Sequence, residues 1–371
     1  MKTIIFVTNN YRPYAAGLVK SIDAFTQALR AEGHQVFIIT LDFTGDISQD
    51  PPWVIRLFCP IRFRYKNNHI AIPWRPYARL KKLIEQLKPD IIHVHHPFFL
   101  GYKAAMIARR MQIPCVFTYH TLYEEYAYYV PMIPRSWIRN ASISFCNRVD
   151  AVIAPSVPVY NYLMQHGVKK PITVIPSPLR SDFLPATMHE KERGQRLQLL
   201  YVGRFVKEKN LYTLLDIVAQ LPRDAYTLKL IGYGHEEKNL MHYAYEHHGF
   251  TQDEVQFIHQ PDQNVVRQAY QDADLFIFTS YTDTQGLVLA EAMAAGTPVV
   301  ALDGLGQRDI IEAGKNGFIA ASPTEMVRLI ERIRTNQNLW IAMQEAAFKT
   351  AQQYAPAYCA AQLLRVYEEL S

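Results

Sequence analysis

The chain is 371 residues long, 49% apolar and 20% charged, with a net charge of +5. That length exceeds one compact core and predicts two domains of roughly 150–200 residues, and the ordinary composition argues against a disordered or fibrous chain. No window offers the roughly 18 consecutive apolar residues of a membrane span, and four cysteines without CxxC spacing read as reduced thiols in a cytoplasmic protein, not as a zinc or disulfide framework.

The charge is unevenly divided. Residues 1–177 carry 21 Lys and Arg against 10 Asp and Glu, a net +11, while residues 178–371 carry 18 against 24, a net −6. A basic half joined to an acidic one suits an anionic partner for the first half, although a solvated surface with a chance imbalance reads the same.

In chain order, MKTIIFVTNN has a short apolar run and no small-residue cleavage site, so it reads as a first strand and not a signal peptide. AGLVKSIDAFTQALRAEG then forms an amphipathic helix with Gly33 as its C′ residue. Gly17 opens that helix, either letting the backbone approach a ligand or tightening a turn. Strands follow at QVFIIT, DIIHVH, PCVFTY, DAVIAP and PITVIP. His93, His95 and His96 lack a matching Cys, Asp or Glu motif and read as strand-end residues near a crevice. His120 ends PCVFTYH, where it can hydrogen-bond a substrate hydroxyl or serve the structure alone. Behind it Tyr123, Tyr126, Tyr128 and Tyr129 form an aromatic wall. MIPRSWIRN then mixes Trp137 and other apolar residues with Arg135 and Arg139, which suits a lipid interface or a helix packed on the core.

The polar, Pro-bearing stretch 176–196 marks a linker, giving domains at 1–177 and 178–355. A last helix, about 356–371, follows Pro356 and is expected to pack back on the first domain. The second domain restarts with LQLLYVG, YTLKLIG, EVQFIH, DLFIFTS and TPVVAL. Apolar strands alternating with amphipathic stretches predict parallel sheets with crossover helices, hence two doubly wound α/β domains with ligands at strand C-termini in the crevice between them.

In YVGRFVKEKN, Arg204 and Lys209 stand beside a helix N-terminus and suit a diphosphate, though exposed loop cations would look alike. Gly232-Tyr233-Gly234 lacks the third glycine of a dinucleotide fingerprint and reads as a tight turn lining the crevice. Asp272 and Asp274 join a helix end to a strand, and no metal is expected there. In SYTDTQGLVLAEAMAAGTPVVA, Leu287 to Ala295 favour a helix stopped by Gly296-Thr297-Pro298. Asp283 precedes it and Glu291 lies about a turn inside. Gly286 and Leu287 are expected to present unpaired backbone N–H groups between the two acids, an anion site within a grip on a larger ligand.

VGRFVKEKN, LIGYGHEEKNL, DADLFIFTSYTDTQGLVLAEAMAAGTPVV and the closing helices together resemble the retaining glycosyltransferases of family 4 over nearly the whole chain. The resemblance implies a GT-B fold, two Rossmann-like doubly wound parallel-sheet domains facing a central cleft, and a hexosyltransferase needing no metal or other cofactor. Under it Asp283 hydrogen-bonds the donor sugar, and Thr284, Gln285, Gly286 and Leu287 line the sugar and phosphate. Glu291 holds the ribose hydroxyls, Arg204 and Lys209 clamp the diphosphate, and Gly232 lines the same site. Gly17 belongs to an N-terminal glycine loop and His120 contacts the sugar. The family's acid pair is E-x7-E, so Asp283 departs from it as a shorter carboxylate.

TYHTLYEEY and TDTQGL look like the diacylglycerol glucosyltransferases. That likeness implies UDP-glucose as donor, a lipid acceptor such as 1,2-diacylglycerol, and an α-glycolipid product. The enzyme would sit peripherally on the inner face of the cell membrane, its basic domain against anionic lipid and Tyr123, Tyr126, Arg135, Trp137 and Arg139 on the acceptor side, with no nucleic-acid partner. A GDP-mannose-dependent lipid mannosyltransferase, a transferase with a soluble sugar acceptor and a sugar-nucleotide 2-epimerase are the alternatives.

Overall fold

The computed structural model describes all residues except 14–16, 49, 66–67, 126–132, 186, 189–190, 192, 282, 284, 305 and 371, and of 64, 65 and 68 the backbone only. The chain forms two compact units, 1–178 with 356–371, and 179–355.

The first unit runs β1 (Thr3–Val7), α1 (Gly17–Ala31), β2 (Gln35–Leu41), β3 (Val54–Leu57), β4 (Ile61–Tyr65), β5 (Asn68–Ile72), α2 (Pro76–Leu87), β6 (Ile91–Val94), α3 (Leu100–Met111), β7 (Cys115–Thr118), α4 (Arg135–Cys146), β8 (Ala151–Ala154), α5 (Val157–Gln165) and β9 (Ile172–Val174). Seven of these strands make a parallel sheet in the order β3-β2-β1-β6-β7-β8-β9, while β4 and β5 pair only with each other, antiparallel. The strands IIHV, CVFT and AVIA are buried at every position, as parallel strands covered on both faces must be. Successive residues of β1 serve opposite faces: Ile4 and Phe6 join the core under α1, and Ile5 and Val7 the core on the other side. α1 stops where Gly33 takes φ +85°, its N–H reaching the Arg30 carbonyl while that of His34 reaches Leu29.

The second unit runs β10 (Leu197–Val202), α6 (Leu211–Ala219), β11 (Tyr226–Gly232), α7 (Glu237–His242), β12 (Val255–His259), α8 (Gln263–Asp272), β13 (Leu275–Phe278), α9 (Leu287–Ala294), β14 (Val299–Leu302), α10 (Gln307–Ile310), β15 (Gly317–Ala320), α11 (Pro323–Arg334) and α12 (Gln337–Ala351). Its six-stranded sheet is parallel in the order β12-β11-β10-β13-β14-β15. The chain then returns to the first unit as α13 (Pro356–Glu369), whose Cys359, Ala360, Leu363, Val366 and Tyr367 complete the core beneath α1.

Two parallel-sheet α/β units thus stand where the alternating pattern places them. Strands β3, β4, β5 and β15 escaped that pattern: β3, β4 and β5 are interrupted by Arg56, Arg62, Arg64 and His69, and β15 opens on Gly317. The 176–196 stretch is less of a free linker than its composition suggests: Phe183 is buried in the second core and the Arg193 guanidinium lies 5.2 Å from the ring centre of Trp340. Among the described residues no helix is long and apolar enough to cross a membrane.

Candidate functional site

In the second unit the chemistry gathers at the C-terminal ends of β10 and β13. Beyond β10 the turn Lys207–Lys209 closes at Asn210, whose φ of +55° an asparagine tolerates better than most side chains. The buried end of β13 pins that turn. Thr279 Oγ1 donates to the carbonyls of Lys209 (3.1 Å) and Asn210 (3.0 Å), and Ser280 Oγ to that of Glu208 (3.1 Å). Lys209 is thereby aimed at the next loop, where its Nζ meets Asp283 Oδ2 at 2.6 Å.

Asp283 also organises its own loop. Its Oδ1 accepts the N–H of Gly286 (3.1 Å) and, at 3.5 Å, that of Gln285, and its carbonyl accepts the N–H of Gly306 (2.8 Å). Burial pushes the Asp283 carboxyl up, but Lys209 and the backbone N–H groups outweigh it and hold the group below the usual carboxylate range. Gly286, at φ +61°, turns the chain into α9 and places Leu287 first in that helix. The expectation of an unpaired N–H at Gly286 is therefore corrected: the Asp283 side chain occupies it, as an acid at a helix N-terminus does.

The two cations do not stand as a free pair. Arg204 is 54% exposed beside Glu208, 3.7 Å away, whereas Lys209 is mostly buried against Asp283. Glu291 is separately held: Tyr270 OH donates to its Oε2 at 2.9 Å, and the two line a cavity of about 320 Å³ with Asp182, Phe183, Arg267 and Gln271. Gly232 has a packing role that the sequence concealed, since a Cβ there would lie 1.8 Å from the Gly203 carbonyl oxygen. Thr284 lies outside the described residues. Gly306 and Tyr270 went unremarked in the sequence. The Gly304-x-Gly306 pair after β14 was the available signal for the first; a Cβ on Gly306 would press on the Asp283 carbonyl at 2.8 Å and the Gly286 nitrogen at 2.9 Å.

In the first unit, His120 follows β7 and is nearly buried, its Nε2 sharing a hydrogen bond of 2.9 Å with Nδ1 of His95. Burial, with a smaller contribution from His96, pushes its pKa down to about 3, so the imidazole is neutral near pH 7. His95 stacks on His93 at 4.3 Å, and its Nε2 has no hydrogen-bond partner among the described residues. His93 is a core residue and not a crevice one: Thr118 Oγ1 (2.7 Å) and Tyr367 OH of α13 (2.6 Å) take its two nitrogens. Gly17 begins α1, and a Cβ there would meet nothing within 4 Å among the described residues, so their packing gives no reason for a glycine.

The expected aromatic wall needs correction. Tyr123 is 7% exposed and packs edge-on against His96, Phe98 and Tyr119, a buried aromatic cluster rather than a surface. Tyr126, Tyr128 and Tyr129 lie outside the described residues. The segment that follows is part of a helix anchored in the core at its far end. α4 buries Ser142, Ile143, Phe145 and Cys146, while its first turn shows Trp137, 69% exposed, and Arg135, near Glu125 at 3.8 Å. Arg139 is half-buried between them.

Among the described residues no three His, Cys, Asp or Glu side chains group as a metal site would require. Asp274 serves the sheet, its Oδ2 accepting the Gln198 N–H at 2.8 Å.

Residues 15–182 match the family model described as Glycosyltransferase Family 4, and residues 187–350 that described as Glycosyl transferases group 1. The chain is 31% identical over 311 residues to an alpha-monoglucosyldiacylglycerol synthase of Streptococcus pneumoniae, covering 79% of this chain and 69% of that one. A protein of the same name from Acholeplasma laidlawii is 24% identical over 384 residues, covering 97% and 95%. HepE of Anabaena, solved with UDP-glucose, superposes with a TM-score of 0.76 at 17% identity and full coverage of both chains, a likeness of fold.

Proposed function

The chain belongs to glycosyltransferase family 4, and on that basis we propose that it moves glucose from UDP-glucose to a diacylglycerol-type lipid, with retention and without a metal. The observation that carries the reading is the Lys209–Asp283 pair at the mouth of α9, with the exposed Arg204 on the same loop as Lys209. Breaking the bond between sugar C1 and phosphate leaves new negative charge on the nucleoside diphosphate. A lysine held in place by a carboxylate, an exposed arginine and a helix N-terminus are suited to receive it. In the proposed step the acceptor hydroxyl oxygen bonds to C1 on the face the phosphate leaves, and its proton passes to the departing phosphate oxygen.

Within this reading Glu291 accepts the ribose hydroxyls, with Tyr270 fixing its carboxylate. Gln285, Gly286 and Leu287 border the phosphate, and Asp283 offers its remaining acceptor capacity to the sugar. His120, neutral and tied to His95 through Nε2, has Nδ1 left to meet a sugar hydroxyl. The lipid acceptor is supported by the names of both relatives and by the basic residues 1–177. A peripheral seat on the inner face of the cell membrane follows from such an acceptor together with a cytoplasmic sugar nucleotide.

The test is transfer of labelled glucose from UDP-glucose to diacylglycerol in mixed micelles, with and without phosphatidylglycerol, with GDP-mannose in parallel. A labelled glycolipid formed with UDP-glucose alone, in yields that rise with phosphatidylglycerol, is expected. Label from GDP-mannose, or label only on a soluble sugar, overturns the donor or the acceptor respectively.

A further inference from the structure

From Pro51 to Ile84 the sequence holds eight Lys and Arg and no Asp or Glu. Within that stretch β4 and β5 pair Ile61 with Ile72 and Phe63 with Ile70, and neither strand joins the main sheet. Residues directly opposite share a face, so these four side chains form one row while Arg62 and Ala71 point the other way. Burial separates the faces. Ala71 is buried and Arg62 is paired to Asp42, whereas Ile61, Phe63 and Ile72 are 53, 48 and 45% exposed. Phe58 and Trp74 flank the row at 51 and 59%, and the Trp74 N–H donates to the Phe58 carbonyl at 3.3 Å, closing the base of the hairpin.

Five large apolar side chains on a lone two-stranded hairpin are a contiguous patch that water alone does not favour. The charges around it say what would cover it. Asp50 and Asp42 neutralise Arg56 and Arg62. Of the other cations with described side chains, Arg75, Arg79 and Lys82 lie at the start of α2, and the next acid along the chain, Glu85, is ion-paired with Lys81. A second copy would bring two like-charged rims together. An anionic bilayer offers an apolar interior for the rings and negative headgroups for the rim.

We propose that the β4–β5 hairpin with its Phe58 and Trp74 flanks is the surface by which the first unit docks on an anionic lipid bilayer. It rests on the lipid-acceptor reading but assigns the contact to a segment other than α4.

The test is flotation with vesicles of phosphatidylcholine, with and without phosphatidylglycerol. The triple variant Ile61→Ser, Phe63→Ser, Trp74→Ser should lose at least about tenfold in partitioning, which corresponds to ~1.4 kcal/mol, at an unchanged melting temperature. Arg75→Ser with Lys82→Ser should weaken only the phosphatidylglycerol-dependent part. If the triple variant melts early, Trp74→Ser alone is compared with the parent by brominated-lipid quenching, and the quenched share of the emission should disappear. Equal flotation or quenching of parent and variant overturns the hairpin assignment, and a matching loss in Trp137→Ser would transfer the role to α4. A parent chain that floats on neither vesicle overturns the membrane reading itself.

Discussion

Lys209 and Asp283 are bound to each other before any sugar arrives, and Asp283 also caps the loop ahead of α9. Its side chain therefore has a positioning role beside the binding role proposed for it. Asp283→Ala leaves the Lys209 charge and the Gly286 N–H without their partner, which should lower unfolding stability by about 1–3 kcal/mol and turnover by roughly 10²-fold. Glu291→Ala should instead weaken UDP binding while leaving turnover at saturation closer to the parent. Calorimetry with UDP and steady-state kinetics on the same preparations check both, and an unchanged UDP affinity in Glu291→Ala contradicts the ribose role. The histidines make a prediction about acid. Burial pushes His96 and His120 down to about 4 and about 3, and drives His93 and His95 well below the usual histidine value. Folded, they stay neutral where the unfolded chain takes up protons, so their stabilisation is complete above about pH 6.5 and is lost as pH falls toward 3. The melting temperature should drop steeply between pH 7 and pH 5, and a flat profile would count against the buried cluster.

Turns and helix starts separate two kinds of glycine that look alike in the sequence. At Gly232 a Cβ would collide with the Gly203 carbonyl oxygen, so Gly232→Ala should destabilise the second unit by about 1–3 kcal/mol through forced backbone shifts. At Gly17 a Cβ meets nothing among the described residues, so Gly17→Ala should leave the melting temperature within a degree or two yet raise the donor KM if a ligand approaches there. Loss of stability in the second variant, or none in the first, would reverse the assignment. Elements were legible wherever burial follows the chain: the fully buried strands β6, β7, β8, β13 and β14, and α9 with its glycine stop. What stayed hidden were the partners. Lys209 finds Asp283 across 74 residues and His93 finds Tyr367 across 274, and no local period records a pairing of that span. For the same reason Gly286 could be read as a helix start but not as an N–H already taken, and Tyr123 as aromatic but not as inward-facing.

Across the whole molecule the alternation of strands and helices was enough to give two parallel-sheet units, because each such strand needs cover on both faces and the connecting helices supply it. The charge division was equally plain from counting, whereas its sharpest local form, the acid-free stretch around the hairpin, emerged only once the exposed row was seen. One feature of the topology governs how the molecule comes into being. The second unit is a continuous segment, but the first is closed by α13, whose Leu363, Val366 and Tyr367 fill the core beneath α1. During synthesis α13 leaves the ribosome about 180 residues after β9, a delay of roughly 10–40 s at ordinary elongation rates. Through that interval the nascent first unit must keep one apolar face uncovered, including the ring of His93 that awaits Tyr367. The half of the chain made first is thus the half finished last, and its newborn state is the one in which chaperones or aggregation have the longest opportunity to act.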